Sequence, residues 1–236
     1  MKGLDRVTIT GADDSIAAHE LKALSRDFPF VEWGILFSMT QQGSPRFPTE
    51  RWIEHLPEGL NYAAHLCGRY VRDVVLDAKF RWLDSGYNRP GIFQRVQLNF
   101  HGQFHKAHPD LESVLRFYAD YKFIFQCDGV NDDSVLNLCI TNEDQFSPLF
   151  DTSGGAGILP ESWPNAWSGT YCGYAGGLGP DNVIEQLHAI EPHVGGRCSW
   201  WIDMERRVRS DDDTKFDLAK VRAVLEACAP LLGAAR

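Results

Sequence analysis

Short, nearly unbroken apolar runs alternate with helix-length amphipathic segments along the whole chain, and the alternation occurs eight times. The first unit is "RVTIT" followed by "DSIAAHELKALSRDF", where Ile16, Leu21 and Leu24 share one helical face behind an Asp14/Ser15 cap signal. "FVEWGILFS" leads to "PTERWIEHL", with Thr49 placed as an N-cap, and "LNYAAHLCG" leads to "RYVRDVVLDAKFRWLD". "FQRVQLNF" precedes "HPDLESVLRFYADY", and "KFIFQCD" precedes "DDSVLNLCIT". "SPLFDT" precedes a weak, Trp-rich and Pro-broken segment, "PESWPNAW". "GTYCGYAGG" with "PDNVIEQLHAI" and "CSWWIDM" with "FDLAKVRAVLEACAPLL" complete the series. Apolar strands alternating with helices predict a parallel sheet, because each crossover helix covers a face that would otherwise be wet. Eight units in 236 residues predict an α/β fold closed on itself, a single (β/α)8 TIM barrel domain over 1–236.

The remaining composition narrows the function classes. At 44% hydrophobic content the chain can fill one large core, and no linker or low-complexity segment suggests a second. A formal charge of -9, with no basic run longer than the Arg206, Arg207, Arg209 cluster, argues against nucleic acid as a partner. Six cysteines without a CxxC pair suggest reduced, mostly buried thiols and neither a zinc knuckle nor a redox motif. No signal-peptide-like or membrane-spanning apolar stretch is present, so a cytoplasmic protein without a membrane partner is expected. The acidic stretch "SDDDTKFD" (210–217) reads as a solvated loop.

In such a barrel chemistry sits at the C-terminal ends of the strands. Read strand by strand, those ends carry Thr10, Ser38, His65, Asn99 with Gln97 below it, Asp128, Asp151, Gly176 with Gly177, and Asp203 with Glu205; the loop after strand two adds Arg46. A rim with four carboxylates suits acid/base work on a small substrate. Glu32 lies lower, where Arg95 or Lys122 is the expected partner. His65, Asp128, Asp151 and Glu205 lack a ligand signature such as HxxxH or HxD, so no metal or other cofactor is expected. Trp163, Trp167, Trp200 and Trp201 read as packing residues, one of which could wall a ring-shaped substrate.

Six stretches, "VTITG", "SPRFPTERW", "VQLNFHG", "LFDTSGGAG", "AGGLGPDNV" and "WIDMERRVR", resemble in their order and spacing the phosphoribosylanthranilate isomerase family of tryptophan biosynthesis. The resemblance spans most of the barrel and implies an Amadori-type aldose–ketose isomerisation of a carboxylated sugar phosphate. It implies Asp151 as general acid, Arg46 as a clamp on the substrate carboxylate, and a phosphate held by Gly154, Gly155, Gly157, Gly176 and Gly177.

The chain departs from that pattern at three places. Thr10 stands where the family has its cysteine base, and a threonine hydroxyl titrates far above neutral pH, so the base falls to Asp128, His65 or Glu205. Strand four carries Asn99 and a two-residue extension before His101. The strand-eight loop is bulky and charged where the family has small residues: Arg206 and Arg207 either pair a phosphate directly or fill its pocket and pair with Asp203 or Glu205. The alternatives to the isomerase are therefore a barrel lyase or epimerase on an unphosphorylated carboxylate, and a non-catalytic descendant that binds a small carboxylated ligand. A homodimer is compatible with such a barrel, although no apolar surface stripe argues for one.

Overall fold

The structure, a computed structural model, describes residues 1–85, 89, 91–100, 106–195 and 199–232; His101 and Cys198 lie outside the described residues. Eight strands, β1 (Leu4–Thr10), β2 (Val31–Phe37), β3 (Tyr62–Leu66), β4 (Arg95–Leu98), β5 (Lys122–Cys127), β6 (Phe146–Phe150), β7 (Cys172–Ala175) and β8 (Trp200–Met204), follow one another in chain order. Each pairs in parallel with the next, and β8 pairs with β1, so the sheet closes as the sequence alternation predicts.

Strand parity divides the buried residues into two sets, because successive side chains point to opposite faces. Val7, Ile9, Trp33, Phe37, Tyr62, Val96, Phe123, Phe125, Phe150, Tyr174 and Trp200 join the large core shared with the helices. Ile124, Leu149, Ala175 and Trp201 form a separate, small apolar cluster inside the barrel. Polar side chains occupy much of the remaining interior: Thr8, Thr10, Glu32, His65, Arg95, Gln97, Gln126, Asp151 and Asp203 are all buried.

The helices are α1 (Glu20–Asp27), α2 (Glu50–Glu54), α3 (Arg69–Asp77), α4 (Leu111–Phe117), α5 (Asp132–Thr141), α6 (Val183–Val194) and α7 (Leu218–Leu232). Thr49 caps α2 as expected, its hydroxyl accepting from the Trp52 N–H at 3.3 Å. The α1 cap differs from expectation. The helix starts at Glu20 because Asp13 and Asp14 are engaged elsewhere: Asp13 accepts from Ser15 and from the backbone of Arg46, and Asp14 accepts from Thr49. Helix α3 stops at Asp77 on Ala78, which adopts the left-handed conformation. The chain then turns Phe80 and Trp82 into the core, with Trp82 5.3 Å from Phe37.

Among the described residues no helix forms in the connection between β6 and β7, where "PESWPNAW" was expected to supply one. Proline interrupts the segment at 160 and 164, and prolines in a helix interior break the hydrogen-bond ladder. Aromatic packing covers the sheet instead: Trp167 meets Phe150 at 5.2 Å, Trp163 meets Tyr174 at 5.9 Å, and the Tyr174 hydroxyl donates to the Pro164 carbonyl. Trp163, Trp167 and Trp200 are thus packing residues.

The floor of the barrel is an ion cluster. Glu32 accepts from Arg95 at 2.8 Å, from Arg6 at 2.6 Å and from the Thr8 hydroxyl at 2.9 Å. Lys122, the other expected partner, reaches the Asp144 carbonyl instead. Burial alone would raise the Glu32 pKa, but Arg95, Arg6 and Thr8 outweigh it and hold the carboxyl below the ordinary range. The Arg95 guanidinium also lies 4.1 Å over the Trp201 ring, so this tryptophan is the lid of the cluster and not a wall of the mouth. Glu32→Gln leaves two guanidiniums without a counter-charge and should cost about 3 kcal/mol of unfolding free energy at neutral pH, read from urea denaturation.

Candidate active site

Above this floor a cavity of about 230 Å³ opens at the C-terminal ends of the strands. Thr10, Arg46, His65, Gln97, Asn99, Asp151, Gly154, Gly155, Gly157, Gly176, Gly177, Asp203, Glu205, Arg206 and Arg207 all line it, so most of the residues picked from strand ends meet in one place. Asp128 is not among the lining residues. Its carboxylate accepts from the Val130 and Asn131 backbone N–H groups at 3.0 and 3.3 Å, in the turn that starts α5.

The acid/base centre consists of two carboxyls in different surroundings. Asp151, just past the end of β6, is held by three donors: Gln126 Nε2 at 2.8 Å, Ser153 Oγ at 2.7 Å and the Gly155 N–H at 2.6 Å. Asp203, on β8, accepts from Thr10 Oγ1 at 2.8 Å. Among the described residues no lysine or arginine lies in ion-pair reach of it, and burial raises its pKa to about 8. The Thr10 bond opposes that rise, while the charges of Glu205, Glu32 and Asp151 add to it. Asp203 is therefore a neutral acid at neutral pH. His65 approaches it at 3.9 Å, but burial lowers the imidazole to about 3, so the two do not form an ion pair.

Gly34 makes this arrangement possible. A Cβ at that position would lie 2.1 Å from Thr10 Oγ1 and 2.9 Å from the His65 ring, so only glycine lets both side chains enter the barrel at this level. Thr10, the residue that stands in for the expected cysteine, is thus a hydrogen-bond donor to the buried acid.

The arginines are arranged differently from the sequence-based expectation. Arg46 is met by two protein carboxylates, Glu205 at 2.9 Å and Asp213, which leaves its guanidinium no net charge to offer a substrate. Its backbone has φ of 78°, outside the usual range for a side-chain-bearing residue, and its N–H is fixed by Asp13. Arg209, fully buried, joins Asp13 at 2.9 Å to Asp213 at 2.8 Å and donates to the Gly11 carbonyl. Asp213 therefore belongs to a network that ties together the loops after β1, β2 and β8, which corrects the reading of 210–217 as merely a solvated loop. Glu205 is raised above its ordinary pKa by burial, against the opposing pull of Arg46.

Neither Arg206 nor Arg207 pairs with Asp203 or Glu205. Arg207 binds Asp181 at 2.5 Å and the Gly177 carbonyl at 3.2 Å; Arg206, which is exposed, donates to the Ala156 carbonyl at 3.1 Å. The glycine loop after β6 uses much of its own donor capacity. Gly154 N–H bonds the Asp151 carbonyl, Gly155 N–H bonds the Asp151 carboxylate, and Gly157 N–H bonds Ser153 Oγ. Gly176 and Gly177 permit close approach of another segment: a Cβ on them would lie 2.9 Å from the Ile158 carbonyl oxygen and 2.7 Å from Leu159 N.

Sequence reasoning passed over Gln126 and Cys67, which also line the cavity. The available signal for Gln126 was strand parity, since a polar residue two after Ile124 in "KFIFQCD" points the same way as Ile124. Among the described residues no three His, Cys, Asp or Glu side chains cluster as metal ligands would.

No protein-family model matches the sequence, and no curated protein does. Among solved structures, a truncated form of 3-deoxy-D-arabino-heptulosonate 7-phosphate synthase from Thermotoga maritima aligns with a TM-score of 0.59 at 12% identity, over 98% of this chain and 88% of that one. What the two share is the barrel. At this identity the likeness is one of fold, and the resemblance to the isomerase family has no match behind it beyond the fold. Among the described residues no helix is long and apolar enough to cross a membrane.

Two outcomes follow from the geometry. Gly34→Ala should displace Thr10 from Asp203 and cost about 1–3 kcal/mol, measured by denaturant unfolding. Because the folded-state pKa of Asp203, about 8, lies above the ordinary 3.8, the folded chain keeps a proton that the unfolded chain has released between those values. The stability contributed by this group is full below the lower value and is lost as pH rises to the upper one. Asp203→Asn should therefore gain on the wild type from about pH 5 to about pH 8, by several degrees in Tm, with little further change above.

Proposed function

We propose that the protein is an acid/base enzyme that isomerises a small, carboxylated, sugar-like substrate by an aldose–ketose proton shift. The observation that carries this reading is Asp203: a carboxylic acid kept neutral by burial, lining the same cavity as a second carboxyl, Asp151, that is fixed by three donors. Paired titratable groups in contrasting environments are the usual arrangement for dividing acid and base roles. The acid role that the resemblance gave to Asp151 moves to Asp203, whose proton passes to the ring oxygen as the C1–O bond opens. Asp151 then receives the C2 proton and returns it to C1, while the 2-hydroxyl gives its proton back to Asp203 as the C2 carbonyl forms, so both carboxyls end as they began. Thr10 orients Asp203 through its hydrogen bond. Arg206, exposed at the cavity rim and bonded only to a backbone carbonyl in the described structure, supplies the positive charge for the substrate anion.

The unphosphorylated form of such a substrate is favoured over the phosphorylated one. Gly155 and Gly157 have given their N–H groups to Asp151 and Ser153, and Arg207 is paired with Asp181, so part of the expected phosphate cradle is taken, while Gly176 and Gly177 stay on the cavity wall.

Loss of N-glycosylanthranilate fluorescence is the direct assay, with phosphoribosylanthranilate and N-ribosylanthranilate offered side by side to wild type, Asp203→Asn, Asp151→Asn and Thr10→Cys. The expected result is turnover by wild type, reduced about 100-fold or more in either aspartate variant, and declining as pH rises through about 8, where the acid loses its proton. Folded wild type and Thr10→Cys that leave both substrates untouched would end the isomerase reading.

A further inference from the structure

The part of the cavity wall formed by β3, β4 and β5 carries a set of buried atoms whose hydrogen-bonding capacity is unmet. Gln97 Oε1, Gln126 Oε1 and His65 Nε2 have no partner among the described residues, although the three side chains are only 5%, 4% and 1% exposed and line the cavity. Leaving a buried acceptor unpaired is costly, so such atoms mark places where a ligand completes the hydrogen-bond set.

The direction of each unmet group is determined by its neighbours. At Gln126 the amide nitrogen faces the Asp151 carboxylate, which can only accept from it, so the amide oxygen is the end left over. At Gln97 a chain of bonds gives the same answer. The Cys67 thiol donates to the His65 carbonyl at 3.8 Å, its sulfur accepts from Asn99 Nδ2 at 3.4 Å, and Asn99 Oδ1 accepts from Gln97 Nε2 at 2.9 Å. Burial raises the Cys67 pKa to about 12, so the thiol keeps the proton that starts this chain. Both glutamines thus present acceptors, next to an imidazole that is neutral.

We infer that this wall receives neighbouring hydroxyl groups of an unphosphorylated polyol chain, which donate to Gln97 Oε1 and Gln126 Oε1. A phosphate or second carboxylate would meet two amide oxygens and the Asp151 carboxylate, a set of acceptors that repels it. An ammonium group could donate to both oxygens but cannot accept, so it suits His65 Nε2 in only one of its tautomers. A hydroxyl donates to an amide oxygen without adding charge and can either donate to or accept from His65 Nε2. At about 230 Å³, below the roughly 300–1,000 Å³ usual for drug-sized ligands, the space holds a chain of a few carbons and leaves the rest of a larger substrate at the open mouth. This inference rests on the acid/base reading of the same cavity, to which it adds the substrate class.

The test is equilibrium binding by titration calorimetry with D-ribonate and pentanoate, which share a carboxylate and a five-carbon chain and differ in hydroxyls, and with inorganic phosphate as a third probe. D-ribonate should bind about 100-fold more tightly than pentanoate, about tenfold for each acceptor satisfied, and more tightly than phosphate. Gln97→Leu and Gln126→Leu should each remove about tenfold of that preference, with thermal melting reporting whether each variant is folded. Equal affinity of the wild type for D-ribonate and pentanoate, tighter binding of phosphate, or no binding of D-ribonate would overturn the inference, and none of these depends on a variant folding. Preference for D-ribonate without turnover of N-ribosylanthranilate supports the polyol wall and removes the isomerase. Turnover with pentanoate competing as well as D-ribonate does the reverse.

Discussion

A carboxylate buried on the axis of the barrel is the constraint from which the rest of the interior follows. Glu32 is fully buried, and its charge persists only because Arg95, Arg6 and Thr8 surround it. Taking these ions out of water is expensive, and the arrangement is stable only while every member is present. Arg95 in turn stacks on Trp201, which belongs to the apolar layer with Ile124, Leu149 and Ala175. Of these, Leu149 and Ala175 line the cavity above, while Trp201 lies against Arg95. Water-excluding material on one side and a polar rim on the other give Asp203 the burial that keeps it protonated.

The mouth is stiffened by a second ionic system with a different role. Arg209 is buried without exposure and joins Asp13 to Asp213, while Arg46 joins Asp213 to Glu205. Loops from β1, β2 and β8 are thereby held in one geometry, including the positive φ of Arg46. An arginine that the family resemblance casts as a substrate clamp is consumed in building the rim. Among the described residues Arg206, which donates to the Ala156 carbonyl, is the arginine of the cavity lining that no carboxylate meets. Position in a motif and availability for binding are separate properties, and the second depends on which charges the folded chain has already paired.

Much of the candidate site could be read from strand ends, because in a barrel of parallel strands the last inward residues converge whatever their identity. Thr10, His65, Gln97, Asn99, Asp151, Asp203 and Glu205 line one cavity for that reason. Asp128 was misplaced by one step of chain: β5 ends at Cys127, and the carboxylate of the next residue is taken by the Val130 and Asn131 N–H groups of the turn before α5. Gln126 was overlooked because an amide inside an apolar strand looks like an irregularity until its bond to Asp151 gives it a purpose. The glycines after β6 and β7 suggested bare backbone reserved for phosphate. In the fold they also serve to let the 158–159 backbone and Arg206 pack closely, a role that sequence spacing cannot distinguish from ligand binding.

The sequence by itself determined the fold class, the chain order of strands around the barrel and the ends from which a site would be built. Those are properties of periodicity, and periodicity is local. It also determined that Glu32 would need a cation, since Arg95 lay among few buried choices. Only the tertiary structure decided which aspartate holds a proton, because that depends on the distance to charges from strands far apart in the chain. The same holds for the arginines: Arg46 and Asp213 are separated by most of the molecule in sequence and meet only when the barrel closes. The orphaned oxygens of Gln97 and Gln126 could be identified only after every nearby donor had been placed.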